Sequence, residues 1–422
     1  MANRSADLFS TLPVSRRAIV AAGAAVTGGA MAPAILARRG VTQDATPLAG
    51  SSPDEIVAIA RKVMDDFSLR ATILHVAIDG EEIVTEALGE SMTGVPATSD
   101  MRFRNGAVAI SLISTLMLTL VDDGVIGLDD PIGALLPDLP ESDAATFRML
   151  ANMTAGYRDH VQKPDFLDAI QDNPFRAFTP EDLIGYSLAQ PRLFEPGANW
   201  EYSHSNYVIL GLALEAATGQ SVEQSMQERV LDPLGLTATV NNATGQIPEP
   251  ALHAFSSERR QWLGIDPGMR FYEESTFWNP SWTITRGAVQ TTNIRDFAAS
   301  MVAVGEGSLL SPESKAAQID RGLLGFGAPL EGCVTCHTLG ERYVYGLGVV
   351  LQGPWIIQNP LFSGESGVSG YLPSHKLAIA VANTYGEESF DMTTGAYHNA
   401  SIPLFESIAA YLAPDAATPG AE

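Results

Sequence analysis

Strand-like segments occur at both ends of this chain, while its middle has mainly helical patterns, and this arrangement constrains the fold most. Residues 71–88 alternate apolar and polar side chains around Asp79-Gly80, which predicts a β-hairpin with a tight primed turn. Strand patterns return at 345–351, 367–372 and 377–383, and an amphipathic segment at 402–412 predicts a closing helix. Strands at both ends with helices between them indicate an α+β fold.

Two helices stand out between these ends. Residues 108–123 carry apolar side chains at helical spacing and stop at Gly124, which predicts a helix buried on most of its faces. A second helix is predicted from about Asn206 to Thr218, with Gly219 as its stop signal. No internal repeat of 20 to 50 residues occurs, so repeat architectures are excluded.

The first 37 residues have the pattern of a twin-arginine export signal. Arg16 and Arg17 precede a weakly apolar stretch rich in Ala and Gly, which ends in small residues. We therefore expect an exported, extracytoplasmic protein, and a chance basic N-terminus is the alternative. Residues 38–53 have the composition of a linker, and residues 413–422 form a short tail rich in Pro, Ala and Gly.

The chain is strongly acidic, with a formal net charge of −24. Nucleic acid and anionic membranes are poor partners for such a charge. Every apolar stretch after residue 40 is interrupted by charge, Gly or Pro within about 18 residues, so we expect no stable membrane insertion after removal of the signal.

Five segments occur in an order that is typical of one known family. They are Phe103-Arg104-Asn105-Gly106 and the stretches at 120–132 (LVDDGVIGLDDPI), 149–159 (MLANMTAGYRD), 201–220 (EYSHSNYVILGLALEAATGQ) and 279–292. Together they resemble serine β-lactamases and penicillin-binding proteins, in particular class C β-lactamases, D-alanyl-D-alanine carboxypeptidases and related esterases. The resemblance covers residues 54–412 and implies a β-lactamase/transpeptidase-like fold. An antiparallel sheet region would comprise about 54–100 and 285–412, and a mainly helical second region about 101–284.

The resemblance also implies which positions the family's nucleophile and base would occupy, and both groups are missing here. In this family a serine attacks an acyl carbonyl, and a lysine three residues later on the same helix face takes its proton. The corresponding positions here are Ala107 and Ile110, and neither side chain can give or take a proton. Ser111 lies four residues after Ala107, one helical turn further along. We expect its hydroxyl to bond back to its own helix.

The second and third motifs of the family are altered as well. The Y-x-N motif corresponds to Tyr202-Ser203-His204, in which an imidazole replaces the amide. The third motif, a cation followed by a small residue and Gly, corresponds to Glu365-Ser366-Gly367 within GESGVSGYLP. A carboxylate at this position would repel an anionic substrate rather than attract it.

The two cysteines of the chain lie in Cys333-Val334-Thr335-Cys336-His337. This C-x-x-C-H string matches covalent haem attachment. The export route implied by the signal favours a short disulfide between Cys333 and Cys336 instead, with free thiols or a metal as further alternatives. One His and two Cys are one ligand short of a closed zinc site, so we expect neither metal nor haem.

Changes in three separate motifs favour a pseudoenzyme over a working hydrolase. We expect it to bind a cell-wall peptide or a small acyl ligand through Tyr202, His204, Glu365 and Ser366. An active esterase, carboxypeptidase or β-lactamase with an unusual active site is the alternative, in which His204, Tyr202 or Glu365 would hold a water molecule.

Overall fold

The computed structural model describes residues 52–241, 244–285 and 289–416, so the predicted export signal lies outside the described residues. The strands are β1 Leu69–Ile78, β2 Glu81–Met92, β3 Val95–Pro96, β4 Phe103–Arg104, β5 Val240–Asn241, β6 Phe255–Ser256, β7 Glu273–Glu274, β8 Gln290–Thr292, β9 Val344–Tyr345, β10 Val350–Gln352, β11 Trp355–Gln358, β12 Leu361–Phe362, β13 Glu365–Leu372 and β14 Leu377–Tyr385.

The helices are concentrated in the middle of the chain, with one at each end. They are α1 Pro53–Phe67, α2 Val108–Asp122, α3 Phe147–Ala151, α4 Pro164–Asp172, α5 Pro180–Leu188, α6 His204–Thr218, α7 Val222–Met226, α8 Asp232–Leu234, α9 Ile294–Glu306, α10 Pro312–Gln318 and α11 Ser401–Leu412. None of the helices among the described residues is both long enough and apolar enough to cross a membrane.

Within the described residues, nine strands form one antiparallel sheet in the order β3-β2-β1-β14-β13-β11-β10-β9, with β12 pairing to β13. The first and last long strands, β1 and β14, are therefore neighbours, and they join the two ends of the chain at the centre of the sheet. Two smaller antiparallel sheets, β4-β8-β5 and β6-β7, lie outside it. This is the α+β arrangement that the order of strand and helix patterns predicts.

Strand β13 shows which helix covers each face of the sheet. The Ser366 hydroxyl lies 2.6 Å from that of Ser401 in α11. Three residues on, Ser369 Oγ donates a hydrogen bond to the carbonyl of Phe297 in α9, at 2.9 Å. Because successive side chains of a strand point to opposite faces, Glu365 lies on the α9 side, the face that looks towards α2.

The best-marked elements follow the sequence patterns closely. The hairpin of β1 and β2 turns at Asp79-Gly80, where both residues have positive φ (50° and 83°), so the predicted primed turn is confirmed. Helix α2 is buried over most of its length and is followed by Gly124 at φ 70°. Helix α6 ends at Thr218 with Gly219 in the left-handed conformation, and α11 is the predicted closing helix.

The strand predicted over 345–351 is wrong in one respect. It is two short strands, β9 and β10, separated by Gly346-Leu347-Gly348-Val349. Gly348 has φ 71°, a conformation that a β-strand does not allow, and its amide donates to the carbonyl of Ala151 rather than to a neighbouring strand. The turn matters for the site because it lies against helix α2.

Candidate functional site

The resemblance to the family predicts its nucleophile position at the N-terminus of α2. Gly106 turns the chain into the helix at φ 47°, and Pro360 packs directly against it, since a Cβ on Gly106 would lie 2.3 Å from the Pro360 Cβ. Ala107 follows at 1% exposure, and Ile110 is fully buried one turn later. The two side chains therefore contribute only apolar groups to the core, and neither can take part in proton transfer.

Gly348 supports the underside of this helix. Its carbonyl accepts hydrogen bonds from Ser111 Oγ at 2.5 Å and from Gln358 Nε2 at 2.6 Å. Ser111 is thus bonded to the neighbouring turn rather than back to its own helix as expected. A Cβ on Gly348 would lie 2.4 Å from Ser114 Oγ and 2.6 Å from the Tyr207 hydroxyl, so this approach requires glycine.

His204, from the second motif, is held by a carboxylate that the sequence analysis missed. Its backbone N–H donates to Asp159 Oδ1 at 3.0 Å, and its ring Nδ1 lies 3.2 Å from Asp159 Oδ2. Both residues are buried, at 0% and 1% exposure. Since a carboxylate only accepts hydrogen bonds, Nδ1 carries a proton, and in the neutral ring Nε2 keeps its lone pair. Among the described residues Nε2 has no hydrogen-bond partner.

A second buried histidine, His160, lies beside this pair with its ring centre 6.1 Å from that of His204. Its Nε2 lies 2.7 Å from the carbonyl of Trp282, so Nε2 is the protonated nitrogen, and Nδ1 is left to accept from Ser205 Oγ at 3.0 Å. Burial lowers the pKa of His160 to about 4, so the ring is neutral at physiological pH.

Aromatic rings occupy the space around His204. Tyr202 packs edge-on against His204 and Tyr345, at 5.3 and 5.9 Å between ring centres. Trp282 lies 6.4 Å from His204 and stacks on Phe362 at 5.7 Å. Burial, together with the charge of Asp159, raises the pKa of Tyr202 above its ordinary value, so this phenol stays protonated and is a poor general base.

Glu365, from the third motif, faces an arginine instead of open solvent. Burial raises its pKa to about 7, against the opposing effects of the Arg104 guanidinium and a hydrogen bond from the Arg104 backbone N–H. Arg104 is itself buried, and it donates to the carbonyls of Gly245, Thr276 and Trp278 at 2.7, 3.3 and 3.3 Å. Its Nε has no partner within the described part of the chain.

Ser366, the next residue, points away from this group. Its hydroxyl lies 2.7 Å from the Tyr385 hydroxyl and 2.6 Å from Ser401 Oγ, on the opposite face of the sheet. The strand alternation that brings Glu365 to Arg104 therefore buries the Ser366 side chain beneath α11.

A small cavity, called the first cavity below, lies between the segment that leads into α2 and the start of β13. It offers about 10 Å³ to the centre of a water-sized molecule, enough for one water. Its lining residues are Phe103, Arg104, Gly106, Pro280, Val289, Phe297, Pro360, Phe362, Glu365, Ser366 and Gly367. Of the residues expected at a binding cleft, Glu365 and Ser366 line this cavity, although the Ser366 hydroxyl points to the opposite face of the sheet. Ala107, Ile110, Tyr202 and His204 do not line it.

The cysteines form a disulfide, Cys333–Cys336, as predicted. The adjacent His337 packs its ring against Trp200 at 5.1 Å, and its Nδ1 lies 2.8 Å from the carbonyl of Thr335. The bridged loop thus contacts the segment that leads into Tyr202. No group of three or more His, Cys, Asp or Glu side chains is placed to hold a metal ion in the ranges that the structure describes.

Comparison with known proteins identifies the family. Residues 56–402 match the family model described as Beta-lactamase. The chain belongs to the beta-lactamase family. The family resemblance and the β-lactamase/transpeptidase-like fold predicted from the sequence are therefore confirmed.

The known proteins that this chain matches include an esterase and a penicillin-binding protein. Esterase EstB of Burkholderia gladioli is 25% identical over 384 residues, which is 84% of this chain and 94% of EstB. The putative penicillin-binding protein PbpX of Bacillus subtilis (strain 168) is 30% identical over 142 residues, 34% of this chain and 32% of that protein. The match thus spans about a third of PbpX, and about half or less of the two relatives with the next strongest matches.

Solved structures show the same fold. The D-amino acid amidase from Ochrobactrum anthropi SV3, complexed with D-phenylalanine, superposes with a TM-score of 0.65 at 21% identity. The superposition covers 85% of this chain and 98% of the amidase. At this identity the likeness establishes the fold of the beta-lactamase family and no more.

Proposed function

We propose that this chain is an exported pseudoenzyme of the beta-lactamase family, which binds a cell-wall peptide or a small acyl ligand without acyl transfer. The observation that carries the proposal is the pair Ala107 and Ile110, both buried and both without an ionisable group at the N-terminus of α2. A nucleophile and its base act as a unit, and removing them leaves only the part of catalysis that comes from binding and oxyanion stabilisation.

The third motif supports the same proposal. Glu365 occupies the position of a cation, and its charge is directed at Arg104 inside the protein. An anionic substrate would therefore meet no free cation from β13. Tyr202, the remaining family residue that could move a proton, is buried with a raised pKa.

A ligand would still find one buried hydrogen-bond donor beside the first cavity. Arg104 lines this cavity, and its Nε has no acceptor among the described residues. A buried donor without a partner is costly, and a ligand carbonyl or carboxylate would satisfy it. An amide or peptide of a D-amino acid has such a carbonyl, and the D-phenylalanine complex of the amidase makes this class the first to test.

The experiment has two measurements on the same protein. Calorimetric titration with D-phenylalanine amide and with acetyl-D-alanyl-D-alanine tests binding, with the L-enantiomers as matched controls. Incubation with a chromogenic ester and a chromogenic cephalosporin tests turnover. The proposal predicts binding that prefers the D-enantiomers and no turnover above the buffer rate. Turnover by the parent protein, or no binding of either probe, would contradict it.

One observation favours a second candidate function, a hydrolase that uses an activated water. The Asp159–His204 pair leaves the His204 Nε2 lone pair available, which is how a general base is arranged in a catalytic triad. If the parent hydrolyses the ester, His204→Gln should abolish the activity. The matched change His160→Gln leaves the contact between Asp159 and His204 in place, so it should keep the activity. Equal effects of the two changes would argue against this role for His204.

Export is part of the proposal and needs its own test. Arg16→Lys with Arg17→Lys should retain the protein in the cytoplasm, because the arginine pair is what the pathway reads. The chain offers a matched control in its second arginine pair, Arg38 and Arg39, whose replacement by lysine should leave export unchanged. Export of the first variant would contradict the twin-arginine route.

A further inference from the structure

A second cavity shares the lining residue Phe362 with the first. It offers about 20 Å³ to the centre of a water-sized molecule. Phe362 and Trp282, which stack on each other, form one wall, and Trp278 forms another. Neither Ala107 nor Ile110, the positions of the missing nucleophile and base, lines it.

Two residues that line this second cavity, Glu258 and Gln171, each have a buried oxygen without a hydrogen-bond partner among the described residues. Glu258 is 3% exposed, and Ser256 Oγ donates to its Oε2 at 2.8 Å. The Ser363 hydroxyl also faces this carboxyl group, yet Oε1 has no partner within hydrogen-bond distance in the described ranges. Gln171, at 8% exposure, likewise has an unpartnered Oε1. Because an amide can present either its oxygen or its nitrogen, selectivity for charge must come from Glu258.

Arg259, the one cation among the described residues that line the cavity, is already neutralised. Arg259 donates through its NH1 nitrogen to Glu273 Oε2 at 2.9 Å and through Nε to the carbonyl of Gln171 at 2.8 Å. Once Arg259 and Glu273 are counted as a pair, an ionised Glu258 leaves one negative charge without a counter-charge. A buried carboxylate without a counter-charge is costly, and burial raises the pKa of Glu258 to about 7.

We propose that the second cavity binds a primary ammonium group, with Glu258 as its counter-charge. The ammonium brings three N–H donors to a site whose unsatisfied groups are acceptors. The indole and phenyl rings of the walls add cation–π attraction, which strengthens when the cation is desolvated. The site goes beyond the proposed function and does not depend on it, since it is separate from the acyl-transfer positions.

The test uses n-propylammonium as the probe, titrated into the purified protein at pH 8, where Glu258 is ionised. Calorimetry reports the affinity, and intrinsic fluorescence reports the site, because two of the five tryptophans line the cavity. Three matched probes isolate each part of the proposal. They are 1-propanol, which has the same size and no charge, propionate, which has the opposite charge, and propyltrimethylammonium, which has the charge but no N–H donor.

The proposal predicts that n-propylammonium binds and that each matched probe binds at least tenfold more weakly. Glu258→Gln should weaken n-propylammonium binding at least tenfold, while Glu313→Gln, an equal change of charge on exposed surface, should not affect it. Equal binding of 1-propanol, or unchanged affinity in folded Glu258→Gln, would overturn the proposal. If Glu258→Gln does not fold, the comparison of probes on the parent protein decides alone.

Discussion

The carboxyl group of Glu365 should make folding stability depend on pH in a direction opposite to that of an ordinary glutamate. Replacement by Gln keeps the shape of the side chain and an oxygen that can accept the hydrogen bond from the Arg104 backbone N–H. It removes the ability to ionise. The comparison of parent and Glu365→Gln therefore isolates the free energy of placing a carboxylate at this buried position.

The magnitude follows from the two pKa values. Burial raises the pKa of Glu365 from 4.5 to about 7 in the folded protein, so between these values the folded state binds more protons than the unfolded state. Stability from this group is complete below pH 4.5 and is lost as the pH rises through 7. Each pH unit between the two pKa values is worth about 1.4 kcal/mol, so the loss is about 3 kcal/mol.

Urea unfolding at pH 4 and at pH 8 measures this effect. The free energy of unfolding of Glu365→Gln, minus that of the parent, should rise by about 3 kcal/mol between the two pH values. Glu258 and His160 titrate in both proteins, so their contributions cancel in the difference. Glu313→Gln controls for the loss of one negative charge from a chain of net charge −24. A difference for Glu365→Gln that does not change with pH would refute the reasoning.

Three further predictions concern the neighbouring residues. Ala107→Ser with Ile110→Lys should recover less than about a hundredth of the ester hydrolysis rate of a competent relative while Glu365 is retained, and full recovery would show the rest of the site to be intact. Gly348→Ala should lower the free energy of unfolding by about 3 kcal/mol in urea, through overpacking and a strained φ. The Cys333–Cys336 disulfide closes only a four-residue loop, so its reduction should lower the free energy of unfolding in urea by at most about 2 kcal/mol, in a preparation without haem absorption.

The fold was accessible from the sequence because its signals are local. A glycine at positive φ ends α2 and α6, and the Asp79-Gly80 turn sets the register of β1 and β2. Such signals need no tertiary information. The strand predicted at 345–351 was wrong because Gly348 takes its conformation from a long-range contact with α2, which periodicity cannot show.

The candidate site was accessible only in part. The assignment of Ala107, Ile110 and Glu365 to motif positions rests on resemblance and stays a prediction. Asp159 and Arg104 were not assigned roles, since their importance comes from partners far along the chain. Asp159 meets His204 across 45 residues, and Arg104 reaches carbonyls 141 to 174 residues away. A hint was present in Asp159, which ends a segment that resembles the family.

The central claim is that this member of the beta-lactamase family does not form an acyl-enzyme. Intact-mass analysis after incubation with a fluorescent penicillin tests it most directly, with a competent penicillin-binding protein as the positive control. The account predicts that the mass of this chain is unchanged and that no fluorescence stays with the denatured protein. A stoichiometric mass increase equal to the mass of the penicillin would contradict it.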